Sequence, residues 1–339
     1  MARKVITVFG ASGFLGRHLV RRLCRDGWTV RAVTRDAEHA LFLKPMGNVG
    51  QIVPWPADVL VPAEVAAACD GADAVVNLIG ILYESGRRTF PAMHVEAAGS
   101  IARAAADNGV RSLVHVSALG ADKYAEALYA RTKALGEERV REAYPAAAIL
   151  RPSVVFGPED NFFNMFAMLS RFTPALPVIG CPTLPKVELF GDKGIISVDL
   201  YGDGGPRFQP VYVGDVGDAI MAALAPGGDA AGQTYELCGP AVYSFKQIME
   251  LVMTFSRRKR WLAPIPFWAA SLEAWFLEKL PKPLLTCDQV ALLKSDNVAS
   301  GELPGLEALG VQATAAEAIL PTYMHHFHTP ATREAAKAG

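Results

Sequence analysis

The sequence predicts an α/β fold: a doubly wound parallel sheet with a smaller, mostly helical C-terminal lobe. Three observations carry that expectation. Strand-like and helix-like segments alternate through the first 157 residues. The strand-like segments are continuous apolar runs, as strands covered on both faces require. The first of them runs into "GASGFLG", which puts glycines where a strand must turn directly into a helix.

The elements follow in order. "VITVFG" is the first buried strand, and the helix "GFLGRHLVRRLCRDG" follows it, closed by Gly27. "WTVRAVT" is the second strand. A helix near 37–44 leads to the strand "GQIVPWPAD", and Pro62 opens the helix "PAEVAAACDG". The strand "ADAVVNLIG" precedes a helix from about 91 to 108. "SLVHVSA", a helix around Tyr129 and the strand "AAILRPSVVFG" complete the run. Beyond Gly157 the pattern loosens. "GPEDNFFNMFAMLSRF" predicts a helix, and 174–210 is rich in proline and glycine. Within it "KVELF-GDKG-IISVDLYG" predicts a β-hairpin turning at "GDKG". "RFQPVYVGDVGDAIMAAL" returns to strand and helix, "QTYELCG" to strand and "SFKQIMELVMTFSRR" to helix. The last 80 residues read as helical with many prolines.

Composition excludes several function classes. The 339 residues are long for one domain, and 51% hydrophobic residues supply a sizeable core. Lys plus Arg number 33 against 34 Asp plus Glu, so the chain lacks the basic excess that nucleic-acid binding needs. Five scattered cysteines without a Cys-x-x-Cys pair read as reduced thiols rather than a zinc site. His325, His326 and His328 lie near a tail with no carboxylate at ligand spacing, so no metal is expected. The basic, apolar start is too short for a signal peptide, because it ends in the glycine loop. No apolar stretch approaches about 18 residues, the length needed to span a membrane. There is no transit segment either, so the chain reads as bacterial or as a processed organellar form.

The glycine loop points to a dinucleotide. Gly10 permits the tight turn, Gly13 lets a pyrophosphate approach the backbone, and Gly16 lets the helix pack on the sheet. Ser12, Phe14 and Leu15 complete the loop, and the helix N-terminus offers free N–H groups to phosphate. A carboxylate at the end of the second strand would hold the ribose 2′-OH of NAD. That place holds Thr34, followed by Arg35, and Arg17 stands just after the loop. Guanidinium groups there suit a 2′-phosphate, which makes NADPH the expected cofactor. Asp36, next in sequence, leaves the NAD role open. Asp58 is placed to bind the adenine amino group, and Asn77 and Gly80 in "NLIG" line the cofactor's path.

"YARTK" supplies Tyr129 and Lys133 four residues apart, on one face of a helix. The ammonium is positioned to lower the phenol pKa and to hold a ribose. With G-x-x-G-x-x-G, "NLIG", Ser117 and "RPSVVFGP" in that order, the chain resembles the extended short-chain dehydrogenase/reductases of the Rossmann class. That resemblance implies Tyr129 as acid/base, Lys133 on the nicotinamide ribose, Ser117 on a substrate carbonyl, and Pro152 and Ser153 beside the nicotinamide. Only 12 residues separate Ser117 from Tyr129, about half the usual connection in those enzymes, which favours a cofactor clamp over a working site. The alternative is a soluble NADP-dependent reductase or epimerase.

One branch is closer. "GRHLVRRL", "FLKPMGNVGQI", "NLIGILYE", "VHVSALGA", "KALGEERVREAYPAAAILRPSVVFGPEDNFFNMFA", "QPVYVGDV" and "LPGLEALGVQAT" are similar to the NADPH-binding accessory subunits of respiratory complex I, from residue 4 to about 320. The resemblance implies a chain that holds NADPH without established turnover. It implies other complex I subunits of the peripheral arm as partners. It also implies a place on the cytoplasmic face of a bacterial inner membrane, or on the matrix side if organellar. The chain departs from that family at 181–206, where the added hairpin reads either as a partner contact or as an ornament in solvent.

The domain reading is then 1–157 plus about 209–240 as the dinucleotide-binding domain. The smaller lobe is about 158–208 plus 241–325, and 326–339 is a tail. In that lobe Arg257, Arg258, Lys259 and Arg260 precede Trp261, and Pro264 and Pro266 open a helix from about Phe267 to Leu280. Trp268, Leu272, Trp275 and Phe276 fall on one face of it, with Phe267, Leu277 and Leu280 on the others. A helix apolar nearly all round is expected to be buried on several sides. The basic residues beside aromatics suit lipid headgroups near Arg257–Trp261.

Overall fold

The computed structural model describes residues 4–184, 186–191, 194–225, 229–281 and 283–329. The chain forms two compact units and passes between them repeatedly. The first comprises Met1–Ser153, Val213–Cys238 and Ala299–Ala313; the second comprises Val154–Tyr212, Gly239–Val298 and Thr314–Gly339. Ala299–Ala313, which the sequence groups with the smaller lobe, belongs to the first unit. Leu306 there is buried, and Pro304 accepts a hydrogen bond from the Glu236 N–H at 2.9 Å.

The first stretch runs β1 (Val5–Phe9), α1 (Phe14–Arg25), β2 (Thr29–Thr34), β3 (Ile52–Pro56), α2 (Pro62–Cys69), β4 (Ala74–Asn77), α3 (Ala97–Asp107), β5 (Ser112–Val116), α4 (Leu128–Ala143) and β6 (Ala148–Pro152). In the second unit follow β7 (Val155–Phe156), α5 (Phe163–Phe172), β8 (Ala175–Ile179), β9 (Lys186–Gly191), β10 (Gly194–Asp199), β11 (Arg207–Phe208) and β12 (Val211–Tyr212). The chain returns to the first unit with α6 (Val213–Ala223) and β13 (Thr234–Leu237). It leaves again with β14 (Tyr243–Ser244), α7 (Phe245–Ser256), β15 (Trp261–Ile265), α8 (Phe267–Leu277) and α9 (Cys287–Leu292), and α10 (Ala316–Met324) is the last α-helix described.

The first unit is built on a seven-stranded parallel sheet in the order β13-β6-β5-β4-β1-β2-β3. This is the doubly wound sheet that the apolar runs predict, and the chain reverses direction between β1 and β4. Ile6, Val8 and Phe9 of β1 and Leu19, Val20 and Leu23 of α1 are wholly buried. A further core lies among α2, α3 and β5, including Val65, Ala68, Ile101, Ala105 and Leu113.

Two helices of this unit differ from expectation. The one near 37–44 is a 3-10 stretch, Glu38–Met46, with Pro45 inside it. The one from 91 opens as a π-turn, Pro91–Glu96, before α3 begins. A glycine of α4 accommodates that turn: a Cβ at Gly136 would lie 2.0 Å from the His94 carbonyl oxygen.

In the second unit, Phe156, Phe163, Phe245, Ile248 and Leu320 lie in one core. The predicted hairpin is present as the antiparallel pair β9 and β10, and its turn residues Asp192 and Lys193 lie outside the described residues. So does 330–339 of the expected tail. The segment at 261–265 is a strand rather than the proline-rich approach to a helix, and it pairs in parallel with β8, Trp261 opposite Ala175 through Ile265 opposite Ile179. Both strands contain a proline, Pro177 and Pro264, which the two-stranded pair tolerates at its edges. Ser244 caps α7 reciprocally with Gln247. Among the described residues no helix is long and apolar enough to cross a membrane.

Candidate functional site

The candidate residues of the first unit gather at the carboxyl ends of its strands. Gly10 follows β1, Asn77 ends β4, Ser117 follows β5, Pro152 ends β6 and Ser153 follows it. That edge, at the reversal between β1 and β4, is where open α/β sheets bind their ligands. Gly10 has φ +83°, and a Cβ there would lie 3.3 Å from the backbone of Leu78. A Cβ at Gly16 would stand 2.3 Å from the Gly10 carbonyl oxygen, so the turn and α1 can meet only with glycine there. Gly13 is the N-cap of α1, with no side-chain cap and no acid in the first turn. Phe14 and Leu15 begin the helix. Its first N–H groups therefore have no side-chain acceptor of their own, as an anion cradle requires.

At the end of β2, Ser12 Oγ lies 3.5 Å from Thr34 Oγ1. The Arg17 guanidinium sits over the Phe42 ring at 5.0 Å, with its Nε 3.4 Å from the Gly13 carbonyl. Asp36, the residue that leaves an NAD role open, is occupied locally. Its Oδ1 accepts the Glu38 N–H at 2.9 Å, and its Oδ2 pairs with His39 Nδ1 at 2.6 Å, which holds its carboxyl below the ordinary range. Arg35 and Asp58 line one cavity of about 460 Å³ together with Leu60, Tyr83, Arg87 and Arg88. Arg87 and Arg88 escaped the sequence reading; the adjacent pair of arginines just after "NLIG" was the available signal.

Tyr129 and Lys133 share one face of α4, as their spacing predicts, but their ionisation does not follow the expectation. Burial pushes the Tyr129 phenol up to about 12, and burial lowers the Lys133 ammonium to about 8, partly opposed by Glu137. Lys133 Nζ donates to the Val116 carbonyl at 3.2 Å, and a Cβ at Gly80 would lie 3.4 Å from it, so Gly80 leaves room for the ammonium. Ser117 is buried, and its Oγ has no hydrogen-bond partner among the described residues.

Two histidines flank this pair, both unforeseen as site residues. His94, in the π-turn, is buried and packs edge-on against Tyr129 at 5.2 Å. Its Nε2 accepts the Ile81 N–H at 3.2 Å, so its proton sits on Nδ1 and is donated to Thr132 Oγ1 at 3.0 Å. Thr132 in turn donates to the Leu128 carbonyl at 2.9 Å. His115 is set by the same logic. Asn77 Oδ1 accepts the Ile79 N–H at 3.0 Å, which turns Asn77 Nδ2 toward His115 Nδ1, also at 3.0 Å. His115 therefore carries its proton on Nε2, a buried atom without a partner among the described residues. Burial, reinforced by Lys133, lowers both imidazoles to about 3. They are neutral, and His94 is fully engaged.

Residues 10–155 match the NAD(P)H-binding family. Over 307 residues the chain is 34% identical to NADH dehydrogenase (ubiquinone) 1 alpha subcomplex subunit 9, mitochondrial, of Arabidopsis thaliana, covering 87% of this chain and 71% of that one. The chain belongs to the alpha subcomplex subunit 9 family. The Mus musculus member is also 34% identical, over 315 residues, covering 92% and 78% of the two chains. Among solved structures, an NADPH-dependent quinone oxidoreductase of Escherichia coli complexed with NADPH superposes over 95% of this chain and 99% of its own, with a TM-score of 0.68 and 18% identity. That likeness is one of fold.

The second unit of this family member carries a surface of a different kind. Burial of α8 on several sides is not observed. Only Ala270 and Ala274 are buried, while Trp268 is 63% exposed, Trp275 48% and Phe276 60%. Leu272, Leu280, Leu284 and Trp261 are exposed as well. Lys279 Nζ lies 3.3 Å from the centre of the Trp275 ring. The basic run is divided. Arg258 Nε donates to the Phe327 carbonyl and Arg260 Nε to the Ser170 carbonyl, whereas Arg257 and Lys259 are exposed.

Proposed function

We propose that this chain is an NADPH-holding accessory subunit of respiratory complex I, and that its Tyr129–Lys133 pair clamps the cofactor rather than turning it over. Membership in the alpha subcomplex subunit 9 family supports the assembly. The observation that carries the clamp is the Tyr129 phenol, held by burial at about 12 beside two neutral imidazoles. The phenol keeps its proton at neutral pH and both imidazoles stay neutral, so Lys133, lowered to about 8, is the group there nearest to exchanging a proton, and it serves as a hydrogen-bond donor to the ribose.

The residues fit a dinucleotide. The Gly10–Gly16 turn has no room for a Cβ at Gly16, and the first turn of α1 offers backbone N–H groups to the pyrophosphate. Arg35, with Arg17 nearby, takes the 2′-phosphate, and the engagement of Asp36 in its own loop removes the competing 2′-OH acceptor. Asp58 faces the adenine end. Asn77 and Gly80 line the path between β4 and Lys133. Lys133 and Tyr129 hold the nicotinamide ribose, with Ser117, Pro152 and Ser153 about the ring. A bound NADPH brings a transferable hydride; the chain's contribution is to orient it and exclude water.

In this reading the other subunits of the peripheral arm are the partners. The α8 surface, Trp261, Arg257 and Lys259 face anionic headgroups at the membrane, on the cytoplasmic side in a bacterium or the matrix side in an organelle. The two exposed basic residues contribute on the order of 1 kcal/mol each, and the aromatic side chains supply the second anchor that such a charge pair needs.

The test is mass spectrometry of nucleotides released from freshly purified, denatured protein, with Arg35→Asp beside the wild type. NADPH is expected from the wild type in near-stoichiometric amount and is lost from the variant, by roughly 10- to 100-fold in affinity. Release of NADH instead, or unchanged NADPH in the variant, would remove the Arg35 assignment. Oxidation of NADPH by the wild type with a carbonyl compound would restore the reductase reading.

A further inference from the structure

Loop 82–90, between β4 and the π-turn, carries Arg87 and Arg88 into the cavity that Arg35 reaches from the end of β2. Three guanidinium groups there stand against one carboxylate, Asp58. That carboxylate is fixed from its own loop, since its Oδ1 accepts the Leu60 N–H at 3.0 Å. Its Oδ2 accepts from Arg87 Nη2 at 2.9 Å, so it holds Arg87 at the cavity wall. The loop is pinned too. Ser85 and Arg88 exchange both backbone hydrogen bonds, at 3.0 and 3.1 Å, Gly86 supplies the φ of +57° that the turn requires, and Glu84 accepts the Phe90 N–H at 2.6 Å. Arg35 and Arg88 make no ion pair among the described residues.

We propose that Arg87 and Arg88 are the second jaw, opposite Arg35, of a site for a phosphomonoester on an adenosine ribose. Loop 82–90 then sets the preference for a 2′-phosphorylated dinucleotide over an unphosphorylated one. The inference rests on the dinucleotide reading above and adds residues from a second loop to it. A phosphomonoester carries about −1.5 to −2 charge at neutral pH and three strong acceptor oxygens. One exposed arginine meets such a group weakly, because solvent and salt screen it. Planar forks from two loops can satisfy all three oxygens and neutralise the charge. Leu60 and Tyr83 line the same cavity and offer apolar surface for a purine. Asp58 is then a positioning residue for Arg87 as well as a neighbour of the base.

The experiment compares wild type with the double variant Arg87→Ala/Arg88→Ala in calorimetric binding of NADPH, NADH and adenosine 2′,5′-bisphosphate. The variant is expected to lose roughly 10- to 100-fold in affinity for both 2′-phosphorylated ligands and less than about threefold for NADH. Arg87→Lys/Arg88→Lys keeps the charge without the forks and is expected to fall between, which also serves if the alanine variant does not fold. Equal losses for NADPH and NADH, or no loss for either, overturn the second jaw and leave the dinucleotide reading standing. A wild-type chain that binds neither dinucleotide overturns both.

Discussion

Helices α4 and α8 invert the ordinary rule of burial in opposite senses. On α4 the polar side chains Thr132, Lys133 and Glu137 are buried; on α8 the large apolar ones, Trp268, Leu272, Trp275 and Phe276, are exposed. The first inversion is satisfied within the chain. Thr132 joins His94 to the Leu128 carbonyl, Lys133 donates to Val116, and both oxygens of Glu137 accept from Arg151, at 2.9 and 2.7 Å. The second inversion has no such answer among the described residues. A buried polar group needs its partners in the fold, whereas an exposed aromatic face points to a partner outside it. One chain thus carries an inward-facing site and an outward-facing one, on separate units.

The contrast breaks most readily at α8. Replacing Trp268, Trp275 and Phe276 by serine is expected to release the protein from membranes by at least about tenfold, since each aromatic contributes roughly 1.5–3 kcal/mol when covered. Urea unfolding of the isolated chain should shift by a few kcal/mol at most for the triple change, because each side chain is already about half exposed. A loss of several kcal/mol per site would mean that the face is core, and the contrast would collapse.

On α4 the next largest effect is expected for Lys133→Met. Nucleotide affinity should fall by roughly 10-fold or more with the charged donor gone. The pH dependence of stability provides an independent check. The folded ammonium loses its proton near 8, against an ordinary 10.5. Between those values the unfolded chain holds the extra proton, so the nucleotide-free wild type gains stability as pH rises from about 8 to 10.5. The variant should show no such rise relative to wild type, and parallel curves would remove the buried-ammonium account.

Tyr129→Phe is expected to do least. It removes one hydroxyl, worth about 0.5–1.5 kcal/mol of binding, and leaves the NADH:quinone activity of the assembled complex within twofold of wild type. Activity that collapses while NADPH stays bound would return the pair to catalysis.

What the sequence disclosed follows the same division. The glycine turn, the parallel sheet and the Tyr129–Lys133 spacing are governed by local rules, so they were legible. The ionisation of that pair was not, because burial rather than mutual spacing decides it. Strands β8 and β15 were hidden by Pro177 and Pro264 and by a pairing between segments some 80 residues apart in sequence. The π-turn depends on a glycine some 40 residues away, at Gly136. For α8, apolar composition reports a demand for cover but not who supplies it, so the sequence left core of the lobe and contact with a partner or lipid as equal readings, and the exposure of Trp268 and Phe276 removes the first.

Strand β13 bears on how the chain is made. It pairs with β6 through Thr234 opposite Ile149 and Leu237 opposite Pro152, and Arg141 of α4 reaches the Gly232 carbonyl beside it. The ribosome delivers Pro152 long before Thr234, with the whole Val154–Tyr212 excursion in between. Throughout that interval β6 is an open apolar edge, able to pair with any other nascent strand. Synthesis of this chain therefore contains a window, bounded by those two residues, in which that edge of the sheet stands uncovered.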